Sequence, residues 1–198
     1  MKLRTLMWVV TLAAGLLAGG LIIWRAAQGP VATTRTTGTA LVGGPFQLVN
    51  QDGRPTTEAV LRGRWTVVFF GYTYCPDVCP TTLQRLAQAQ TALGARGQAL
   101  QVVFVSVDPQ RDTPSQLKTY LSGGAMPRNV LGLTGTAEQV AAAARAYRVF
   151  YQRAGTGPAY TVDHSTAAYL MNPQGRFERV LSYDMTPPQI ARQISEAM

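Results

Sequence analysis

The sequence predicts an α/β protein in which helices cover the faces of one central sheet. Two continuous apolar runs rich in β-branched and aromatic residues, at 65–71 (WTVVFFG) and 99–107 (ALQVVFVSV), are typical of buried central strands. The segments after them carry helix-start signals, and the chain closes with a hairpin pattern and a terminal helix. Strands that alternate with helices favour a sheet with covered faces.

Residues 1–25 are predicted to anchor the chain in a membrane as one transmembrane helix. Lys2 and Arg4 precede an uncharged stretch at 5–24. About twenty apolar residues, at about 1.5 Å each, span a hydrocarbon core of about 30 Å. A cleaved signal peptide is the alternative, although its apolar core is usually only about 7–15 residues long. The N-terminal positive charges place the rest of the chain across the membrane, in an oxidising compartment.

Turn and capping patterns predict the remaining elements in order. Residues 26–44 are rich in Gly, Thr and Ala without a sustained period, which indicates a flexible tether before a folded domain at 45–198. The run FQLVN at 46–50 predicts a first strand that ends in an Asp-Gly turn. Two further strands flank the Pro-Gln-Gly turn at 173–175. Three helices share a Thr-x-x-Gln capping pattern, which begins at Thr113, Thr136 and Thr186.

The chain is basic, with a net charge of +8. Its basic residues are scattered arginines with few aromatic residues among them, which argues against a nucleic-acid-binding stripe. A solvated basic surface or an acidic protein partner remains.

Both cysteines of the chain, Cys75 and Cys79, lie in FFGYTYCPDVCPTT at 69–82, and a proline follows each. Proline disfavours helical backbone in the residue before it. Both cysteines are therefore expected outside the next helix, with Cys79 near its N-cap and Pro80 at its first position. The partial positive charge of a helix N-terminus is expected to lower the pKa of the thiols.

Three interpretations of the cysteine pair compete. A structural disulfide would close a loop of only three intervening residues and so remove little entropy from the unfolded chain. A thioredoxin-type redox site normally has two residues between its cysteines, one fewer than here. A metal site needs further ligands.

The single histidine, His164, is the further ligand candidate. It lies between Asp163 and Ser165, just before an apolar strand that can bring it to the same sheet edge as the cysteines. Structural zinc usually takes four ligands, whereas two thiolates with one imidazole suit Cu(I). The incomplete ligand set also leaves room for a ligand from a partner protein.

Four blocks of the sequence resemble successive blocks of the Sco/SenC family. They are FFGYTYCPDVCPTT, VSVDPQRDTP at 105–114, LTGTAEQVAAAARAYRVFY at 133–151 and YTVDHSTAAYLMNPQGRF at 160–177. The resemblance implies a thioredoxin-like fold for 45–198. It also implies a membrane-tethered protein with a copper ion, Cu(I) or Cu(II), as its metal.

The family's copper ligands carry over to Cys75, Cys79 and His164. The resemblance implies a non-enzymatic metallochaperone that delivers copper to the copper A subunit of cytochrome c oxidase. Its soluble domain would lie on the periplasmic side of the inner membrane, to which a single-pass helix anchors it. Another periplasmic copper chaperone or a thiol reductase would be a further partner.

Two other functions remain open on the sequence. A thiol–disulfide oxidoreductase would use a redox-active disulfide between Cys75 and Cys79 to keep the oxidase cysteines reduced. A peroxidase-like thiol enzyme is the third hypothesis. Nearby acidic residues have simple explanations: Asp108 as a turn residue, Asp77 as a capping or solvated residue, and Asp163 as either a turn residue or a hydrogen-bond partner of His164.

Overall fold

A computed structural model describes residues 42–198, which contain a seven-stranded mixed sheet, its helices and a separate two-stranded sheet. The predicted membrane anchor at 1–25 and most of the predicted tether lie outside these residues. Within 42–198, no helix combines the length and the apolar composition that crossing a membrane requires. At the start of the described chain, the Gly43 amide donates to the Ala146 carbonyl at 2.9 Å.

Residues 42–198 contain nine strands: β1 (Gln47–Asn50), β2 (Pro55–Thr57), β3 (Thr66–Gly71), β4 (Gln101–Ser106), β5 (Val130–Thr134), β6 (Tyr151–Ala154), β7 (Thr161–His164), β8 (Ala168–Met171) and β9 (Phe177–Leu181). The same residues contain five α-helices: α1 (Val78–Ala92), α2 (Ala95–Ala99), α3 (Pro114–Leu121), α4 (Ala137–Ala146) and α5 (Pro187–Ala197). A short 3-10 helix covers Glu58–Leu61.

The main sheet has the strand order β2-β1-β5-β4-β3-β8-β9. Strands β3, β4 and β5 are parallel, and β8 pairs with β3 in the antiparallel direction. Gly71 at the end of β3 pairs with Ser106 at the end of β4, while Ala168 at the start of β8 pairs with Phe69. The loops after β3 and β4 and the segment before β8 therefore meet at one edge of the sheet.

The core lies around β3 and β4. Every residue of these two strands is buried, as expected for central strands covered on both faces. The rings of Phe69 and Phe104 lie 6.1 Å apart across the parallel pair. Helix α1 packs against α5, α3 against β5 and α4 against β1. This confirms the predicted α/β sheet with its flanking helices.

The three predicted capping patterns all begin helices. The amide of Gln116 donates to Thr113 Oγ1 at the start of α3, with Pro114 at the first helical position. The Thr136 pattern at α4 forms a complete capping box, and the Thr186 amide donates to Gln189 Oε1 at α5.

The elements that were not predicted are β2, the 3-10 helix, α2, β5 and the β6–β7 hairpin. Strand β2 has three residues and α2 has five, so neither shows a full hydrophobic period. Strand β6 is only partly buried and shows no apolar alternation. Strands β6 and β7 pair with each other and not with the main sheet.

Candidate metal centre

The two cysteines lie where β3 leads into α1. Cys75 is in the connecting loop and is partly exposed, whereas Cys79 is the second residue of α1 and is buried. The expectation that both cysteines lie outside the helix is therefore wrong for Cys79. Pro80 is the third helical residue and not the predicted first. A proline is tolerated there because an amide of the first turn has no partner within the helix, although the residue before a proline disfavours helical backbone.

The pKa values of the two cysteines are shifted in opposite directions. The hydrogen bond from the Cys79 side chain lowers the pKa of Cys75 to about 5, and the Cys79 amide, 3.4 Å from Cys75 Sγ, adds to this. The same hydrogen bond, together with burial, raises the pKa of Cys79. The predicted lowering therefore holds for the pKa of Cys75, but its largest cause is the Cys79 side chain and the amides at the helix start only add to it. The prediction is wrong for Cys79, whose side chain is buried and donates its proton to the Cys75 sulfur.

Tight packing fixes the buried sulfur. Cys79 has 0% relative exposure. A Cβ atom on Gly71, at the end of β3, would lie 2.7 Å from Cys79 Sγ and 2.8 Å from the ring of Phe104. Only a glycine at this position leaves room for the sulfur beside the sheet.

His164 reaches the cysteines from the β6–β7 hairpin. It is the last residue of β7 and lies before β8. Its Nδ1 lies 2.8 Å from the carbonyl oxygen of Ser165 and therefore donates to it. Nε2 then carries the lone pair and lies 3.4 Å from Cys79 Sγ. The ring of Tyr72 meets the imidazole edge-on at 5.8 Å.

These residues form one three-donor cluster. The ligand atoms of Cys75, Cys79 and His164 all lie within 4.8 Å of one another. Neither cysteine is in a disulfide, so both sulfur atoms are available to bind a metal ion together with the imidazole nitrogen. Sulfur-rich sets of low ligand number suit a soft ion such as Cu(I). The partly exposed Cys75 leaves one side of the cluster open.

The nearby carboxylates have other roles. Asp163 is exposed on β7, and it is the Ser165 carbonyl that accepts from the imidazole. Asp77 is the N-cap residue of α1, where its Oδ1 accepts a hydrogen bond from the hydroxyl of Thr81.

The sequence matches a known protein family over most of its length. The family model described as SCO1/SenC matches residues 34–198. Protein SenC of Rhodobacter capsulatus is 43% identical over 154 residues, which are 77% of this chain and 69% of that protein. The chain belongs to the SCO1/SenC family.

Solved structures and a plant relative extend the comparison within the SCO1/SenC family. The structure of Bradyrhizobium japonicum ScoI with copper bound has a TM-score of 0.72 at 39% identity, covering 79% of this chain and 99% of that one. The mitochondrial SCO1 homolog 1 of Arabidopsis thaliana is 42% identical over 144 residues, 72% of this chain but only 42% of that protein. The fold is the thioredoxin-like α/β fold, with a central mixed sheet flanked by helices.

Sequence reasoning missed a polar cluster beside this SCO1/SenC site. Asp108, which was interpreted as a turn residue, and Asp112 are both buried. Asp108 lies 2.5 Å from Arg111 Nε and accepts from the Tyr160 hydroxyl at 2.5 Å. Burial raises the pKa of the Asp112 carboxyl, although hydrogen bonds from Ser106 and Thr73 oppose the shift. An Arg between two Asp residues in one short loop was the available signal.

Proposed function

We propose that this protein is a metallochaperone that binds copper through Cys75, Cys79 and His164 and delivers it to the copper A subunit of cytochrome c oxidase. The observation that carries the proposal is the convergence of two free thiols and one imidazole within 4.8 Å. The reduced pair supplies sulfur donors once copper displaces the thiol protons. The Nε2 lone pair supplies the third donor.

The geometry favours transfer over permanent storage. Two sulfurs and one nitrogen hold the ion with few ligands and leave one side open, so a ligand from the acceptor can bind before the donor ligands leave. Cys75 is partly exposed and Cys79 is buried, so the acceptor can approach from the Cys75 side.

The family supports the same assignment. The Bradyrhizobium ScoI structure, 39% identical, holds copper. The Arabidopsis ScoI structure, also described with copper bound, is 37% identical with a TM-score of 0.74. Copper binding and a part in cytochrome c oxidase assembly are therefore the activities we assign to this chain.

The N-terminal pattern supports a location for this activity. Residues 1–25 would anchor the protein in the inner membrane, and residues 26–44 would tether the domain at 45–198 on the periplasmic side. The oxidase copper A subunit is the proposed acceptor of the copper. Another periplasmic copper chaperone or a thiol reductase is the proposed further partner of this protein.

A second function is thiol–disulfide exchange with the oxidase cysteines. It is supported by the difference between Cys75 and Cys79 in pKa and in exposure. Cys75, with a pKa of about 5, is a nucleophile at neutral pH, and Cys79 lies where it can resolve a mixed disulfide. Both activities need the reduced pair, so they can coexist in one protein.

His164→Ala separates the two functions. A dithiol reductase works through its sulfurs, whereas a three-ligand copper site loses one donor in three. We expect copper affinity of the reduced domain to fall by at least about 10–100-fold, the loss that even an indirect ligand partner causes. Thiol–disulfide exchange should change little. Competition with a chromophoric Cu(I) chelator measures the affinity.

Asp163→Ala is the matched control, because it alters the exposed neighbour on the same strand and leaves the three donors in place. Cells that carry His164→Ala should assemble an oxidase without copper at its copper A site unless copper is added in excess. Parental affinity in the variant, or normal oxidase at low copper, would make the reductase the better assignment.

A further inference from the structure

We propose that Arg111 and Asp112, adjacent residues in the loop between β4 and α3, are positioning residues that hold the His164 hairpin and the Cys75 loop against each other. The inference rests on the proposed copper site. Neither residue is a ligand, and both act on the ligands through the segments that carry them.

Arg111 binds the hairpin that carries His164. Its Nη1 donates to the Tyr160 carbonyl at 2.9 Å and lies 3.4 Å from the Pro158 carbonyl. Its guanidinium carbon lies 3.6 Å from the centre of the Tyr160 ring. Tyr160 immediately precedes β7, the strand that ends in His164. These contacts fix the entry to that strand.

The same guanidinium also contacts the cysteine loop. Its central carbon lies 4.7 Å from the centre of the Tyr74 ring, and Tyr74 directly precedes Cys75. Arg111 thus contacts aromatic rings from both ligand-bearing segments. Asp108 holds the guanidinium in this orientation through Nε at 2.5 Å, and it also accepts from the Tyr160 hydroxyl.

Asp112 holds the cysteine loop from the other side. Its carboxylate accepts from the Thr73 amide at 3.0 Å and from the Thr73 hydroxyl at 2.6 Å, two residues before Cys75. A third bond, 2.6 Å long, comes from Ser106 at the end of β4. The side chain has 0% exposure. Buried, charge-assisted bonds of this kind restrict a loop more strongly than exposed ones.

These side-chain contacts matter because β6 and β7 form their own sheet. No ladder of backbone hydrogen bonds joins that hairpin to the seven-stranded sheet within residues 42–198. Besides the short segment from His164 to β8, side chains that bridge the two parts hold Nε2 at 3.4 Å from Cys79 Sγ. Arg111 makes such a bridge with the hairpin and the loop at once.

The test is a double-mutant cycle on Cu(I) affinity, measured by chelator competition with the reduced protein. Arg111→Met should lower the affinity by about 10–100-fold, as loss of a residue that orients a ligand does. In a His164→Ala background the same change should lower it less than threefold or so, because the imidazole that Arg111 positions is gone. Asp112→Asn should also lower the Cu(I) affinity, and by the same factor in the parent and in the His164→Ala background, because Asp112 acts on the cysteine loop.

Arg85→Met is the matched control. Arg85 also stacks on a tyrosine, 5.1 Å from the Tyr183 ring, and donates to the carbonyl of the same residue. It makes these contacts with the segment before α5 and should leave copper affinity unchanged. Tyr160→Phe is the milder variant, since it deletes only the hydroxyl that binds Asp108. It should lower the affinity several-fold, with the same dependence on His164.

Hydrogen exchange in the metal-free, reduced protein gives a readout independent of copper. Amides of β6 and β7 should exchange faster in Arg111→Met than in the parent, and not in Arg85→Met. Equal exchange in all three proteins, or an Arg111 effect on affinity that persists fully in the His164→Ala background, overturns the inference. A parent that binds no copper overturns the proposed function instead, and the exchange result still decides the positioning role.

Discussion

The sulfur atoms of Cys75 and Cys79 differ in exposure and in charge although only three residues separate them. The pKa of Cys75 falls to about 5 because the Cys79 side chain and amide donate to its sulfur. Cys79 is buried and keeps its proton. At neutral pH the metal-free pair therefore holds one thiolate and one thiol, and the thiolate faces the solvent.

We predict that iodoacetamide modifies Cys75 first, because only a thiolate reacts and only Cys75 is accessible. The alkylation rate should rise between about pH 4 and 6 and level off above pH 6, since the pKa is lowered to about 5. An ordinary thiol would show this rise near pH 8.5. Peptide mass spectrometry after timed alkylation of the reduced, metal-free protein measures both sites.

Cys79→Ala serves as the control, because it removes the largest cause of the lowered pKa and keeps Cys75. Its rate profile should move to higher pH. Equal alkylation of both cysteines, or a rate that still climbs through pH 8 in the parent, would contradict the assignment of the thiolate to Cys75.

At the level of secondary structure elements, the end of β3 is shaped to accept the first turn of α1. Gly71 has the Cys79 sulfur and the Phe104 ring on the side where a side chain would be. Gly71→Ala should lower the free energy of unfolding by about 1–3 kcal/mol, the usual effect of overpacking, and should weaken copper binding by displacing Cys79. Urea unfolding and chelator competition measure the two effects.

Gly124→Ala is the matched control, because an added Cβ there meets no atom within 4 Å. It should change the free energy of unfolding by less than about 1 kcal/mol and leave copper affinity unchanged. An equal effect of both substitutions on copper binding would show that the contact between Gly71 and Cys79 does not position the sulfur.

Elements with a strong local signal could be predicted from the sequence. The apolar runs became β3 and β4, and the Thr-x-x-Gln patterns became the starts of α3, α4 and α5. The three donors could be proposed because they are the only cysteines and the only histidine of the chain. The structure brings all three together.

Features that depend on packing could not be predicted. Cys79 lies inside α1 because the helix begins at Val78, one residue before it, and that start has no side-chain cap as a signal. The β6–β7 hairpin lacks an alternating apolar pattern, and it contacts the loop after β4, which lies far away in the sequence. The role of Arg111 depends on residues almost fifty positions away in the sequence.

At the level of the whole molecule, two aromatic side chains flank the metal centre at the surface. Tyr74 is 53% exposed beside Cys75, and Phe150 is 60% exposed beside the hairpin. The backbone of Phe150 is hydrogen-bonded to Ser165, the residue after His164, which fixes Phe150 close in space to the residue that follows the imidazole ligand candidate. Aromatic residues are enriched in protein interfaces, which suits an acceptor that docks over the copper ion.

We predict that Phe150→Ser slows copper transfer to a soluble copper A domain by roughly tenfold, the effect of losing one important interface residue. Copper affinity should stay unchanged, and the free energy of unfolding should change by less than about 0.5 kcal/mol, because the ring is exposed. Stopped-flow absorbance of the acceptor measures the transfer rate.

Val180→Ser is the control for the loss of an exposed apolar side chain, since Val180 is 45% exposed on β9. It should transfer copper at the parental rate. If both variants transfer copper equally fast, Phe150 does not contact the acceptor.

The distance along the chain between the donors has a consequence for how the protein matures. Cys79 and His164 are separated by 85 positions, and His164 lies just before β8, the strand that pairs with β3. Closing so long a loop carries an entropic penalty that only the completed sheet offsets. A partly synthesised chain that ends before β7 offers two sulfurs and no imidazole. The complete coordination site thus forms last, and copper held with full affinity marks a finished domain.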